Sequence, residues 1–359
     1  MATKTYFSQR DVNNNAKINE ILDEFLPEYC QEYILGISDT TTTLTRLGYV
    51  RDLKLFFHFL TTNISCFKDK TSKDITLADV ENLSPFEIEK YMHFLTSYQK
   101  ATPSGQLTKT VIETNAERAR SRKLSALRSM IKYFIKKNVI NVDPTRSVNS
   151  PKIREKEIVR LDVDEVKKMF DTVDNGAGLS KHQLAYQENT KVRDLAIVAL
   201  LLGTGIRVSE LVGIDMDDVD FDNLSFVVTR KGGARVILYF SEEVAGMLYD
   251  YFHLRKNNKR AETNALFLSL QNKRITTRAV ENLIKKYSSI AAPLKKISPH
   301  KLRSTYGTQL YKSTRDIYVV ADVLGHKDVN TTKKHYAAVT DDIRRKASTA
   351  VKLRDDDEN

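Results

Sequence analysis

A mainly α-helical chain in two domains, with a small β-sheet in the second, is the fold class the amino-acid sequence predicts. Three observations predict it. Apolar residues recur at helical period through most of the 359 residues. A Pro-containing stretch of alternating charge, 145–157, interrupts that pattern as an exposed linker. The apolar runs Leu224 to Thr229 and Arg235 to Phe240 flank Lys231-Gly232-Gly233, which reads as a β-hairpin. At about 150 residues per domain, the length also accommodates two or three domains.

Taken in order, the first 16 residues are polar and are expected to be flexible. Ile18, Ile21, Leu22, Phe25, Leu26 and Tyr29 then have helical period, as do Leu47, Val50, Leu53, Phe56, Phe57 and Leu60 after a Thr-rich stretch. Ser84-Pro85-Phe86-Glu87 has the form of a helix start, with a Ser cap, Pro at the first position and Glu closing a capping box. Residues 99–115 are polar, with one Pro and one Gly, and read as a loop. A fourth helix spans Glu117 to Lys137 over a stripe of Leu124, Leu127, Ile131, Phe134 and Ile135. These elements place a helical domain at 17–144, the linker at 145–157 and a second domain at 158–338. In the second domain, Val163 to Phe170 forms a short amphipathic helix and 171–191 is polar and insertion-like. Leu195 to Leu202 is a continuous apolar run, a buried helix that stops at Gly203-Thr204-Gly205, with a new helix from Ile206. A short strand is possible at Ala265 to Leu268, and helices dominate thereafter. Residues 339–359 are expected to form a last helix and an acidic tail, a segment open to exchange between protomers or to packing on its own domain.

Composition narrows the partner. Lys and Arg total 57 against 46 Asp and Glu, a net charge of +11, and 41% hydrophobic with 29% charged residues mark a globular chain. No run approaches the roughly 20 apolar residues of a membrane span, and the N-terminus lacks the apolar stretch of a secretory signal. Cys30 and Cys66 form no metal or disulfide spacing. The expectation is a soluble, cytoplasmic protein with an anionic partner and no membrane association. Charge alone does not separate nucleic acid from a membrane surface or an acidic protein. The fourth helix is more specific. It carries Arg118, Arg120, Arg122, Lys123, Arg128 and Lys132, and no acid from 118 to 137. A charge run is usually a solvated face, but surface helices normally interleave acids with bases. A helix without acids accepts like-charge repulsion that phosphates would relieve, so these six residues are candidate DNA contacts.

Five segments in the second half carry the chemistry. LLGTGIRVSEL sets Arg207 and Glu210 at a helix start after a Gly-flanked break, a natural anion site, although a surface Arg is the commoner case. Thr229-Arg230-Lys231-Gly232-Gly233 puts Lys231 at a hairpin tip, where a solvated turn lysine is the base-rate reading. Ser298-Pro299-His300-Lys301-Leu302-Arg303 delivers His300 and Arg303 to one face of a helix N-terminus, with Ser as cap. Leu324-Gly325-His326-Lys327-Asp328 follows, and the fifth is Asn330-Thr331-Thr332-Lys333-Lys334-His335-Tyr336, whose Tyr336 lies ten residues past His326.

No single segment is decisive; their order is. LLGTGIRVSEL, RKGGAR, SPHKLR and LGHKDVNTTKKHY together resemble the bacterial tyrosine recombinases, the phage-integrase family, and most nearly their Xer-like group. SRKLSALRSMIKYF echoes the family's core-binding domain. The resemblance implies a helical SAM-like core-binding domain joined to an α+β tyrosine-recombinase catalytic domain. It also implies an enzyme, a site-specific recombinase that cuts and rejoins DNA through a 3′-phosphotyrosine and a Holliday junction. Tyr336 would attack the phosphodiester, Arg207 and Arg303 would clamp its non-bridging oxygens, and Lys231 would protonate the leaving 5′-oxygen. His300 would assist proton transfer, His326 would hydrogen-bond the phosphate, and Glu210 would support the set.

The cations have work to do, because a free Tyr has a pKa of about 10 and ionisation at pH 7 costs about 4 kcal/mol. One phosphoester replaces another, so no ATP is needed, and no GxxxxGK[ST] is present. No carboxylate cluster suggests a two-metal site, so neither metal nor any other cofactor is expected. The implied partners are double-stranded DNA carrying a short inverted-repeat site and three further copies of the chain, a homotetramer on two sites in the bacterial nucleoid; an accessory protein is possible. Chromosome-dimer resolution and mobile-element integration both remain open. The alternatives are a type IB-like topoisomerase, which shares the chemistry, and a non-catalytic DNA-binding accessory protein, which the complete residue set disfavours.

Overall fold

The computed structural model describes residues 6–104, 107–153, 158–230, 232–325 and 329. The chain divides into two compact units, residues 1–155 and 156–359. No helix among the described residues is long and apolar enough to cross a membrane.

The first unit is helical, with α1 Tyr6–Phe25, α2 Tyr29–Gly36, α3 Thr43–Asn63, α4 Leu77–Glu81 and α5 Pro85–Phe94. A two-stranded antiparallel ribbon follows, β1 Ser97–Ser104 and β2 Leu107–Thr114, and then α6 Glu117–Lys136. The apolar stripes read from the sequence meet here: Phe56, Phe57 and Leu60 of α3, Tyr91 of α5, and Leu127, Ile131 and Phe134 of α6 are all buried. Ser84 caps α5 as its sequence predicts, its hydroxyl accepting from Glu87 N at 3.3 Å while Ser84 N donates to the Glu87 carboxylate at 2.8 Å.

Three expectations need correction. From Tyr6 on, the segment expected to be a flexible lead is helical, because α1 starts there. Polar bonds anchor it: buried Asn14 donates to Thr43 Oγ1 at 3.2 Å, and that hydroxyl donates to Asp11 at 2.6 Å. Residues 99–115 are not a loop but most of the ribbon, in register from Ser97 opposite Thr114 to Ser104 opposite Leu107. Val111 and Ile112, adjacent in β2, are both exposed, so they show no buried-exposed alternation. The base of the ribbon is held by Asn115, which donates to Leu95 O at 2.9 Å, and by Tyr98, which stacks on Phe94 at 5.0 Å. Finally, the expected linker is anchored at its start: Thr145 and Val148 are buried, and Arg128 of α6 donates to both of their carbonyls.

The second unit comprises α7 Val163–Asn175, α8 Lys181–Glu188, α9 Lys191–Thr204, α10 Val208–Gly213, strands β3 Val219–Asp220, β4 Ser225–Thr229 and β5 Arg235–Tyr239, then α11 Glu242–Lys256, α12 Thr277–Ala291, α13 Pro299–Thr314 and α14 Ile317–Leu324. The strands form one antiparallel sheet in the order β3-β4-β5. The apolar run at 195–202 is the middle of α9, whose residues 196–201 are buried with α7, α11, α12 and α13 packed around them. The segment 171–191 is structured rather than insertion-like. α7 runs on to Asn175, and Gln187 of α8 donates to Val173 O at 2.6 Å, fastening the two helices. Residues 265–268 make only isolated bridges, Asp215 with Ala265 and Leu268 with Arg274. The helix and tail expected at 339–359 lie outside the described residues.

A buried carboxylate ties this unit together. Asp194 of α9 accepts from Tyr287 of α12 at 2.8 Å, from Thr190 at 3.0 Å and from Arg193 at 2.7 Å. The ion is paired and hydrogen-bonded, which is the condition for burying it.

Candidate active site

The site is built where three helix ends meet. α9 closes on Gly205, whose φ of 63° places it in the left-handed region. A Cβ there would strike Tyr306 and Leu324, so both backbone freedom and space favour glycine. The chain then turns through buried Ile206 to Arg207, which caps α10 in extended conformation. The helix therefore starts at Val208, not Ile206, and Arg207 lies just outside it.

Glu210 holds Arg207 by both ends. Arg207 N donates to Glu210 Oε2 at 2.8 Å, and Arg207 Nη1 donates to Oε1 at 2.7 Å. Glu210 is 3% exposed. Arg207 Nη2 reaches Gly325 O, just past α14, at 3.2 Å.

Arg303 is the fifth residue of α13 and is 5% exposed. Its Nη1 donates to Gly205 O at 2.7 Å, and its Nη2 donates to Leu324 O. The guanidinium therefore bridges the end of α9 and the end of α14. Pro299 takes the first position of α13, as its sequence predicts, but Ser298 makes no side-chain cap bond. His300, three residues before Arg303, is exposed.

Sequence reasoning passed over Arg230. At the end of β4, its Nη2 donates to Val323 O at 2.9 Å, and its Nη1 lies 3.5 Å from Asp322 O. Position beside the hairpin lysine was the available signal, but nothing local shows where that side chain goes. Three arginines thus converge on the last carbonyls of α14. A helix end leaves such carbonyls without intrahelical partners and carries partial negative charge, so cations stabilise it. Lys231, His326 and Tyr336, three of the six residues named from the sequence, lie outside the described residues.

Tyr306 lies nearby on α13, and burial pushes its hydroxyl up, opposing ionisation.

The six basic candidates of the first unit divide. Arg118 and Lys132 are exposed. Arg120 donates to Thr96 at 3.3 Å. Arg122 forks onto buried Asp52 of α3, one bond measuring 2.9 Å, and Lys123 lies 3.7 Å from the same carboxylate. Burial holds the Asp52 carboxyl above its ordinary range even though both cations pull the other way. Arg128 is committed to Thr145 O, Val148 O and Ser150. Arg122, Lys123 and Arg128 therefore have scaffold contacts that a count of charges does not reveal.

A family model described as the phage integrase family matches residues 159–342. Tyrosine recombinase XerC of Caldanaerobacter subterraneus subsp. tengcongensis is 32% identical over 340 residues, covering 92% of this chain and 86% of its own. Tyrosine recombinase XerS of Streptococcus agalactiae is 30% identical over 357 residues, covering 91% of this chain and 96% of its own. Among solved structures, XerH site-specific recombinase bound to palindromic difH substrate, in a post-cleavage complex, is similar with a TM-score of 0.67 at 15% identity, covering 97% of this chain and 90% of that one. The Tn1549 transposon integrase in complex with transposon right end DNA gives 0.58 at 18% identity, covering 89% and 99%. The two structural likenesses speak to the fold. The matched model and the relatives at 30% and above speak to the family: the chain belongs to the phage integrase family and is a site-specific tyrosine recombinase of the Xer-like kind.

Proposed function

We propose that this recombinase cuts and rejoins duplex DNA with Tyr336 as nucleophile. The Tyr336 oxygen bonds to phosphorus, the bond from phosphorus to the 5′-oxygen breaks, and Lys231 passes a proton to that oxygen. The product is a 3′-phosphotyrosine and a 5′-hydroxyl, and the same steps in reverse rejoin a new partner strand. Arg207 and Arg303 hold the non-bridging oxygens, whose charge grows in the transition state. His300 assists the proton leaving the tyrosine, His326 hydrogen-bonds the phosphate, and Glu210 orients Arg207.

The observation that carries this reading is the meeting of Arg207 and Arg303 on the end of α14, one residue before His326. Two distant segments bring fixed guanidiniums to one place, with a buried carboxylate bracing the more exposed of them. Such pre-set donors act without reorganising during the reaction.

The target is a short inverted-repeat site, as the palindromic substrate of the structurally similar XerH suggests. Four protomers on two sites exchange strands through a Holliday junction, in chromosome-dimer resolution or in movement of a genetic element. Arg118, Arg120 and Lys132 contact the DNA backbone from the first unit, with Arg122, Lys123 and Arg128 holding the scaffold beneath them.

Tyr336→Phe tests the core of the proposal. The variant should bind its site with unchanged affinity and form no covalent adduct on a nicked substrate. An adduct that persists, mapped to Tyr306, Tyr311 or Tyr318, refutes the assignment.

A further inference from the structure

The hairpin between β4 and β5 presents a mechanical problem. Lys231 is followed by Gly232 and Gly233, with φ of 99° and 86°, and a Cβ on either would meet nothing within 4 Å. Ala234 and Arg235 beyond them are exposed. The tip is closed by Arg230 N donating to Ala234 O at 2.8 Å and Gly233 N donating to Arg230 O at 3.0 Å. Those two bonds shape the turn, but they do not fix it to the body of the unit. A general acid carried by a hairpin needs that hairpin fixed to the body of its unit, because catalysis loses heavily when a group strays by about 1 Å.

Among the described residues of the loop Arg230 to Arg235, two side chains reach back to the unit. Arg235 pairs with Asp218 at 2.6 Å, but its side chain is 65% exposed, and pairs of that kind contribute little. Arg230 is different. Its guanidinium seats on the main chain of α14 at Val323 O, 2.9 Å away, with Asp322 O at 3.5 Å. Its Nε lies buried and has no hydrogen-bond partner. Gly325 completes the seat, because a Cβ there would run into the same guanidinium. The element Arg230 grips is the one whose neighbouring carbonyls, Leu324 O and Gly325 O, receive Arg303 and Arg207.

We propose that Arg230 is a positioning residue that moors the hairpin tip to the end of α14, and so sets Lys231 against the phosphate held by Arg207 and Arg303. Arg230 touches neither substrate nor reacting atom; it acts through its neighbour in the chain. The inference rests on the reading of Lys231 as the acid that protonates the leaving oxygen.

The experiment uses the full chain and two nicked DNA substrates, one with the ordinary bridging 5′-oxygen and one with sulfur in its place. Sulfur leaves without a proton, so it bypasses the acid. Arg230→Ala should slow adduct formation about 10- to 100-fold on the oxygen substrate, part of what a positioned acid contributes. It should regain the wild-type rate on the sulfur substrate, and band-shift affinity should not change. Arg230→Lys, which keeps the charge but can satisfy only one carbonyl well, should fall between wild type and alanine; it also serves if the alanine variant melts at a lower temperature. Lys231→Ala is run alongside. If Lys231→Ala is not restored by sulfur, the reading of the lysine fails and the inference falls with it. If Lys231→Ala is restored and Arg230→Ala is not, the lysine stands and the mooring is refuted. A loss of DNA affinity in Arg230→Ala would make Arg230 a phosphate ligand, and a wild-type rate would make it inert; either overturns the inference.

Discussion

Replacing Glu210 with glutamine tests whether Arg207 is held or merely present. The carboxylate uses both oxygens, one for Arg207 N at 2.8 Å and one for Arg207 Nη1 at 2.7 Å. A glutamine has one acceptor oxygen, so it can keep the helix cap or the guanidinium but not both, and it carries no charge. A lost hydrogen bond to a charged group costs about 1.5–3 kcal/mol. The Arg207 side chain is 36% exposed, so solvent screens part of its attraction and the lower end of that range applies. Losing about 2 kcal/mol in a unit of this size should lower Tm by about 4–8 °C. The catalytic effect should be larger than the stability effect suggests. Where the amide oxygen keeps the cap, the 3.2 Å bond to Gly325 O is the one left on the guanidinium among the described residues, and a misplacement of about 1 Å can cost about 100-fold in rate. Glu210→Gln should therefore form covalent adduct one to two orders of magnitude more slowly, while band-shift affinity for the site stays close to wild type. Thermal melting and single-turnover cleavage of a nicked substrate measure the two effects separately. A variant that melts early yet cleaves at the wild-type rate would show that Glu210 serves only the fold.

Arg303→Lys should melt lower and cleave poorly, because one ammonium cannot span Gly205 O and Leu324 O as the fork does; wild-type cleavage in that variant would remove Arg303 from the site. Asp194→Ala should destabilise the second unit by about 3–5 kcal/mol, since it strands the buried Tyr287 and Thr190 hydroxyls and Arg193. At a temperature where it stays folded, its cleavage rate per molecule should match wild type; a selective rate defect would contradict a purely structural role. Deleting residues from Asp341 onward should leave single-site binding intact but weaken cooperative filling of paired half-sites, because Ile343, Ala347, Ala350 and Val351 recur at near-helical spacing and so short a helix needs a surface to dock on, for which a neighbouring protomer is the expected one. Equal cooperativity in a band-shift titration would refute that.

What the sequence made legible followed from periodicity and capping chemistry. The stripes of α3 and α6, the start of α5 and the β4–β5 hairpin were readable because apolar spacing or a cap residue marks them locally. The misreadings share one cause. The first half of α1 is held by Asn14, Thr43 and Asp11, the ribbon by backbone pairing with Val111 and Ile112 exposed, and α8 by the Gln187 amide. In each case polar contacts between distant residues do what apolar periodicity usually does, and composition then looks like loop. The candidate site divides in the same way. Arg207 and Arg303 were legible because each stands at a helix start in a distinctive motif. Arg230 was not, since its meaning lies in a carbonyl 93 residues away. Arg128 misled in the opposite direction: as a charge on a basic helix it suggests phosphate, yet it closes the end of its own unit.

The end of α14 explains why this site needs arginines where lysines would supply the same charge. Gathering three cations in one place is unfavourable until something neutralises them, and DNA is not always there to do it. Part of the compensation is Glu210. The rest is a fan of carbonyls from Asp322 to Gly325, at the negative end of a helix dipole equivalent to about half a charge. Carbonyls hold a guanidinium by direction as well as by charge. A fork of five N–H donors can spend some on the scaffold and still offer others in a fixed plane, whereas an ammonium has three donors that rotate together. The same bonds that keep the cluster stable without substrate therefore aim it. In consequence, the position of α14 and the aim of Arg207, Arg303 and the Arg230 hairpin are one quantity: a displacement of that helix end would disturb all three arginines at once.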